Sequence, residues 1–575
     1  MWEDFCPAGI NTAYMPNVES GKDYIADIEQ HNEWWNEGPS IELEEVIKRS
    51  PRSDFHRILR DINEYDKEGV ESLIYPIFGQ TGIGKTTMLK QFVAALIDTV
   101  DFPESGREYD LLSSANPRQV LYLPLEDSLY HLESPEDQAQ ELTQVVEYFR
   151  SHVAPRRGRK YIFLDDVNVL DLGDRRPSVL RDLVDEETYL ILSGVVEDQV
   201  DLTREDNGDQ IDEIHYNLPV LPMKFADTIG YPEDEGGLQV EFEADFPEQL
   251  RSYRSKGLSG SSPIKQIRLD LDLTGADLKG AVQTLEELYF EYIDPDKRDG
   301  LHDAARDYLR KGGILHQAKN ASVRNDLVRS QFLLFLYKEL AKYGSVQHPE
   351  NLHRLCSFAA SHAGEEVQYT DISDRIGVDR RTVDQYLNLL DKEGIVVTES
   401  QDFSLRRHRR TRLYPRNPRH AVLLSQRQEH YGFEKYEQQN ILNHEFEYKL
   451  ARMVAFDHAK RLAFQVGAYD VEYCETDSGL VDYILHHDGL VVPFVLSYQP
   501  YNDAATQIAA EFDPSVGQHS KSDSEELRDL DYEAPYRFVI TDNLSSEPVA
   551  EGSLVTERNG VSICYLPYWL FLLIC

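Results

Sequence analysis

Cysteine is scarce in these 575 residues, with only Cys6, Cys356, Cys474, Cys564 and Cys575. The five lie far apart, are odd in number and include no C-x-x-C pair. That argues against a disulfide framework or a zinc site and fits a reducing cytoplasm. Lysine is scarce too, and arginine is about twice as frequent. Long hydrophobic runs are missing. The longest apolar stretch, 566–575, is too short to span a bilayer, so no membrane partner is expected. The opening Trp2-Glu3-Asp4 is the wrong start for a secretory signal.

Positive charge is in short supply overall. Asp and Glu total 102 against 59 Lys and Arg, a net charge of -43. The excess runs along the whole chain, and 41% hydrophobic residues argue against disorder. A dispersed carboxylate surface with little lysine resembles the proteins of salt-loving archaea, where salt screens self-repulsion. Such a surface repels nucleic acid, so a locally basic segment stands out.

One glycine-rich stretch carries the clearest chemistry. Gly79-Gln80-Thr81-Gly82-Ile83-Gly84-Lys85-Thr86-Thr87 fits the phosphate-binding pattern G-x-x-x-x-G-K-[ST]. An apolar run, Leu73–Phe78, precedes it and predicts a buried strand. An amphipathic run, 88–100, follows and predicts a helix. Strand, loop, helix is the context this motif requires. The glycines turn backbone N–H groups inward around phosphates, and the helix N-terminus adds positive charge. Lys85 is expected to reach the β- and γ-phosphates of ATP, and Thr86 to ligate Mg²⁺. Pro76 is a blemish in a central strand.

A second strand should end in carboxylates. Lys160-Tyr161-Ile162-Phe163-Leu164-Asp165-Asp166 supplies it, with Asp165 expected on Mg²⁺ and Asp166 on the attacking water. Asp166 is one methylene shorter than the commoner glutamate, which predicts slow or assembly-dependent hydrolysis. Further strand-like runs at 119–127 and 188–194 fit a parallel sheet. Ser193 stands where a γ-phosphate sensor would lie. Alternating strands and helices give the α/β class.

The order of these motifs, followed by Leu221-Pro222-Met223-Lys224-Phe225, resembles a group of prokaryotic AAA+ P-loop ATPases. Those proteins carry a C-terminal winged helix and a nuclease-like domain. Ala226 stands where that group has arginine. Tyr308-Leu309-Arg310-Lys311-Gly312-Gly313 resembles the turn of their helical lid. An N-terminal extension over 1–65 lies outside the resemblance, which implies an AAA+ core over 66–235. A helical lid would follow over 236–345, a winged helix with a basic wing over 346–420, and a restriction-nuclease-like domain over 421–575. Arg175, Arg176, Arg181 and Arg204 lie where an arginine finger would, but none can be assigned; a finger would imply a homo-oligomer.

Residues 346–398 follow helix-turn-helix logic. Val383, Tyr386, Leu387 and Leu390 share one face of a recognition helix, leaving Arg380, Arg381, Gln385 and Asn388 outward for DNA. The following wing is the dense basic patch: Arg406, Arg407, His408, Arg409, Arg410, Arg412, Arg416 and Arg419. It could neutralise several phosphates, or pair with acidic groups of neighbouring domains. In the last domain, Glu447 and Asp482 resemble the acidic residues of a restriction-nuclease-like site. The strand that should carry Glu-x-Lys instead has Val495 and Ser497 at those positions, so the fold is expected to be kept without cutting.

Two functions fit. One is an ATPase, ATP and Mg²⁺ dependent, whose nucleotide state controls a DNA-associated module. The other is a nucleotide-gated switch or scaffold acting on a protein partner without DNA.

Overall fold

A computed structural model describes residues 28–36, 41–47, 51–97, 115–125, 134–170, 172, 175–194, 213–215, 219–229, 263–314, 321–342, 346–400, 411–425, 444–498, 504–515, 532–549 and 552–575. The first sheet contains β1 (Leu73–Phe78), β2 (Val120–Pro124), β3 (Lys160–Asp165), β4 (Thr188–Gly194) and β5 (Glu213–Ile214). Their order is β2-β3-β4-β1-β5, and every pairing is parallel. β1, β3 and β4 are buried throughout, as strands covered on both faces must be.

Pro76 has a simple explanation. The His215 N–H bonds the Ile74 carbonyl at 2.9 Å, so even-numbered residues of β1 turn their polar groups toward β5. The donor that Pro76 lacks falls on that side, and β5 ends at Ile214. The ladder with β4 runs unbroken from Leu73 to Phe78.

The described residues before position 66 pack into this core. The helix Ser53–Glu68 buries Phe55, Ile58, Leu59 and Ile62, one stripe at helical spacing, and stops at left-handed Gly69. Asn32 pairs with the Tyr122 backbone like a strand residue, accepting its N–H at 2.7 Å and donating to its carbonyl at 2.8 Å. The Trp34 and Trp35 indoles both donate to the Val120 carbonyl. Together they cover the free edge of β2.

Helices Pro263–Asp270, Leu278–Glu287, Pro295–Lys311 and Ala321–Leu334 form the lid region. Helices Pro349–Ser361, Tyr369–Ile376 and Arg380–Lys392 follow, with β6 (Glu366–Val367), β7 (Val396–Ser400) and β8 (Thr411–Pro415) in an antiparallel sheet ordered β6-β8-β7. Helix, short strand, two helices and two further strands is the order expected of a winged helix. Asp379 caps the third helix by accepting the Thr382 N–H at 3.0 Å.

The last sheet holds β9 (Val471–Thr476), β10 (Gly479–His487), β11 (Leu490–Ser497), β12 (Tyr536–Thr541), β13 (Val555–Arg558) and β14 (Val561–Pro567). Its order is β13-β14-β12-β11-β10-β9, parallel only across β11-β12 and β12-β14. Helices His444–Gln465 and Tyr568–Ile574 cover the face bearing Phe494 and Leu496. The helix Ala505–Glu511 covers the face bearing Val495. One continuous apolar core runs from Phe225 through the lid, the winged helix and this sheet to Cys575.

Candidate functional site: the phosphate loop and its surroundings

The loop after β1 has the shape its glycines allow. Gly84 is left-handed at φ 101° and starts the helix Lys85–Leu96. At Gly79 a Cβ would sit 2.7 Å from the Val220 carbonyl oxygen, so no side chain fits there. Lys85 is buried, and its Nζ donates to the Gly79 carbonyl at 2.8 Å and the Gln80 carbonyl at 3.2 Å. Burial pulls its pKa down, opposed by the Asp166 and Asp165 carboxylates and then by Glu339 and Glu393. Thr86 is exposed on the first turn, with Thr81, Gly82 and Thr87 partly so, while Gln80 and Ile83 are buried.

At the end of β3, Asp165 is held from both sides. Its Oδ1 accepts the Ser193 hydroxyl at 2.6 Å and its Oδ2 the Tyr122 hydroxyl at 2.8 Å. Asp166 follows in the left-handed region at φ 60°, and its N–H donates to Ser193 Oγ at 2.8 Å. A strained aspartate just past a buried strand is a mark of functional positions. Ser193, expected as a γ-phosphate sensor, is fully buried, and its hydroxyl donates to Asp165 and braces the carboxylate.

The residues present fit ATP and Mg²⁺. Thr86 is open to the loop mouth, and each Asp165 oxygen accepts one hydrogen bond and keeps a further lone pair. Sequence reasoning missed Tyr122 and Arg52. Tyr122 was readable as the polar tip in an apolar strand. Arg52 is buried and donates to the carbonyls of Ile83 and Leu221, tying the loop to a distant segment no local pattern announces.

Of the arginine-finger candidates, Arg175 pairs with Glu136 at 2.9 Å and Arg176 is buried against the Leu170 carbonyl. Arg204 lies outside the described residues.

On the third helix of the winged-helix unit, Arg380, Arg381, Gln385 and Asn388 are all exposed, as expected. Asp379 and Asp384 are exposed among them. Arg406, Arg407, Arg409 and Arg410 lie outside the described residues. Arg412 corrects its expected DNA role. It is buried, stacked 3.6 Å over Tyr473, and faces Glu366 at 3.8 Å and Glu399 at 3.9 Å. Burial pushes the Glu399 carboxyl up to about 7, against the pull of Arg412. Arg416 pairs with Asp457 at 2.8 Å, and Arg419 is buried. Arg412 and Arg416 of the basic patch therefore join domains.

In the last sheet the acidic positions are each taken up by arginine. Glu447 accepts from Arg306 Nε at 3.0 Å and the Tyr498 hydroxyl at 3.1 Å. A bulge between Val481 and Ile484 turns Asp482 toward the helix His444–Gln465, where it pairs with Arg452 at 3.0 Å. Val495 lies in the core on the opposite face, and the pleat sends Ser497 the same way. Among the described residues no group of three or more acidic, His or Cys side chains could hold a metal. None of their helices is long and apolar enough to cross a membrane.

Residues 71–229 match the family model described as an AAA domain. The fold and this match define an AAA+ ATPase-like core in this chain. Residues 303–413, from within the helix Pro295–Lys311 to β8, match a domain of unknown function, DUF8612. No curated protein matches the chain. Among solved structures, the Aeropyrum pernix ORC2 protein is similar at 15% identity, over 70% of this chain and 93% of that one, with a TM-score of 0.29. The Drosophila ORC bound to DNA is similar at 11% identity over 73% and 96%, with a TM-score of 0.20. The Bacillus subtilis DNA clamp loader delta protein is similar at 11% over 68% and 99%, with a TM-score of 0.22. With TM-scores this low, none of the three bears on fold or function.

Proposed function

We propose that this chain binds and hydrolyses ATP at the loop 79–87, and that its nucleotide state controls a DNA-associated module built from the winged helix and the last sheet. The observation that carries the first part is Asp165, gripped by Ser193 and Tyr122 beside a loop lysine held on its own loop's carbonyls. Lys85 would exchange those carbonyls for phosphate oxygens. Thr86 and Asp165 would hold Mg²⁺, which neutralises phosphate charge when bound. Asp166 would orient water, with the short reach that favours slow turnover. The test is Mg-ATP binding and phosphate release in concentrated salt, with Tyr122→Phe as the discriminating variant. It should leave ATP affinity within about two-fold and lower turnover about ten-fold, because a hydrogen bond to a charged group is worth about 1.5–3 kcal/mol. Unchanged turnover would refute the bracing role.

The DNA part rests on the exposed Arg380, Arg381, Gln385 and Asn388. Arg381→Ala should weaken binding of duplex DNA roughly uniformly across sequences and reduce the salt slope by about 1. Arg412→Ala should destabilise the fold without that change in slope. The second reading, a switch acting on a protein partner in the cytoplasm, is favoured by the use of Arg412 and Arg416 between domains. Absence of DNA binding by the intact chain at moderate salt would select it. We read the last sheet as a folded, non-cutting platform, because Asp482 and Glu447 each have an arginine partner.

A further inference from the structure

The helix Ala321–Leu334 runs without a break into the wider turn Phe335–Glu339. Its inner side is core: Val328, Phe332, Phe335 and Leu336 are buried. Its outer side is apolar as well. Leu327 is 39% exposed, Leu334 49% and Tyr337 45%. A helix that is apolar all round belongs in an interior, yet this one has a bare face. Tyr337 is not loose there. Its hydroxyl hydrogen-bonds His353 Nδ1 at 3.0 Å, and the two rings meet edge to face at 5.8 Å. An aromatic already held in place loses little freedom when a partner packs on it.

Two features point to what covers this face. The first is spacing. Leu327, Ser330, Leu334 and Tyr337 follow one another at intervals of three, four and three, the seam along which two helices pair. The seam is self-complementary. With two copies antiparallel about a two-fold axis between Ser330 and Gln331, Leu327 of each meets Leu334 of the other, and the small Ser330 lets the helices approach closely. The second feature is charge. The chain carries -43, yet residues 327–338 include no Asp or Glu, and Arg329 and Lys338 are exposed. Two copies repel wherever carboxylates face each other. Along this seam they do not, and its two cations suit the acidic surface of the opposite copy. Concentrated salt screens the remaining repulsion, to a range of about 3 Å at 1 M.

We propose that the helix 321–339 is a self-association surface, covered by the same helix of a second copy of this chain in antiparallel two-fold packing. It needs neither nucleotide nor an arginine finger, so it stands apart from any assembly through the ATP site. Two helices roughly 28 Å long make a contact below the standard size of about 1,600 Å², so association is reversible, with a dissociation constant on the order of micromolar.

The experiment is sedimentation of the full chain in concentrated potassium chloride over a range of protein concentrations. A monomer–dimer equilibrium is expected, unchanged within about two-fold by Lys85→Ala or by Mg²⁺ with a non-hydrolysable ATP analogue. Leu334→Glu sets a carboxylate against Leu327 of the opposite copy and should weaken the dimer at least about 10-fold. Leu327→Glu should act alike and serves if the first variant does not fold. Thermal melts of both should match wild type, because both side chains are already exposed. Ser330→Cys should cross-link two copies through a short bis-maleimide and Lys338→Cys should not, against a background in which the four described cysteines are buried. A wild-type chain that stays monomeric, a dimer left intact by both glutamate variants, or equal cross-linking by the two cysteine variants would overturn the proposal. Association seen only with nucleotide would overturn this surface and leave the ATP reading standing.

Discussion

Lys85→Ala is expected to abolish ATP turnover, by about 100-fold or more, and to weaken triphosphate binding. The reason is local. Lys85 is the cation placed inside the loop, 2.8 Å from the Gly79 carbonyl, while Asp165 and Asp166 face it with negative charge. Removing it leaves those carboxylates to meet the phosphates alone, so the loss should exceed that of one neutral hydrogen bond. The fold should survive, because the loop's shape depends on Gly79, Gly84 and the Arg52 link to Ile83. Phosphate release and analogue titration, with a thermal melt as control, check this. Wild-type turnover in a folded Lys85→Ala protein would remove the basis of the proposed ATPase.

Asp457→Asn should be the most destabilising single change outside the loop, costing about 3–5 kcal/mol. Asp457 is buried and holds two arginines, Arg416 of the winged-helix unit at 2.8 Å and Arg461 at 2.8 Å. Arg461 also donates to the Pro222 carbonyl, next to the roof of the loop. Without the carboxylate, two guanidinium groups remain buried with little compensation. Urea denaturation followed by domain-specific probes would measure the loss, and a midpoint equal to wild type would contradict it. The pH dependence follows in sign. Burial pushes the Asp457 carboxyl up, but Arg461 and Arg416 outweigh it and leave it below the ordinary range. Its contribution is therefore present above the unfolded carboxylate pKa and lost as pH falls through the folded value. His458 adds in the same direction. Burial lowers it to about 3, and it accepts the Phe225 N–H while neutral. Its share is present above the ordinary histidine pKa and declines below it. Stability should thus fall steadily as pH drops from 6.5 towards 3, and flattening that slope in His458→Gln is the check.

Much was legible because it is local. Residues 79–87, the strand Lys160–Asp165 and the helix Arg380–Lys392 each follow from a few neighbouring residues: a glycine pattern, an apolar run ending in acids, an apolar stripe. Arg380, Arg381, Gln385 and Asn388 came out exposed because the 3.6-residue period fixes which face is buried. Arg412 was misjudged, and the brace at Ser193 was not legible, because both depend on partners far away in sequence. A hydroxyl at a strand end cannot announce that Asp165 will take its proton. An arginine in a basic run cannot announce Tyr473 and Glu399.

Sequence alone determined the phosphate loop, its carboxylate strand and the acidic surface, since each is written in adjacent residues and in composition. The tertiary structure alone decided which charges meet. It spent Arg412 and Arg416 between domains, closed Asp482 with Arg452, and brought the turn at Gly394 against Leu221 beside the phosphate loop. The physical reason is that burial and pairing set what a charged side chain can do, and both are made by contacts between distant segments.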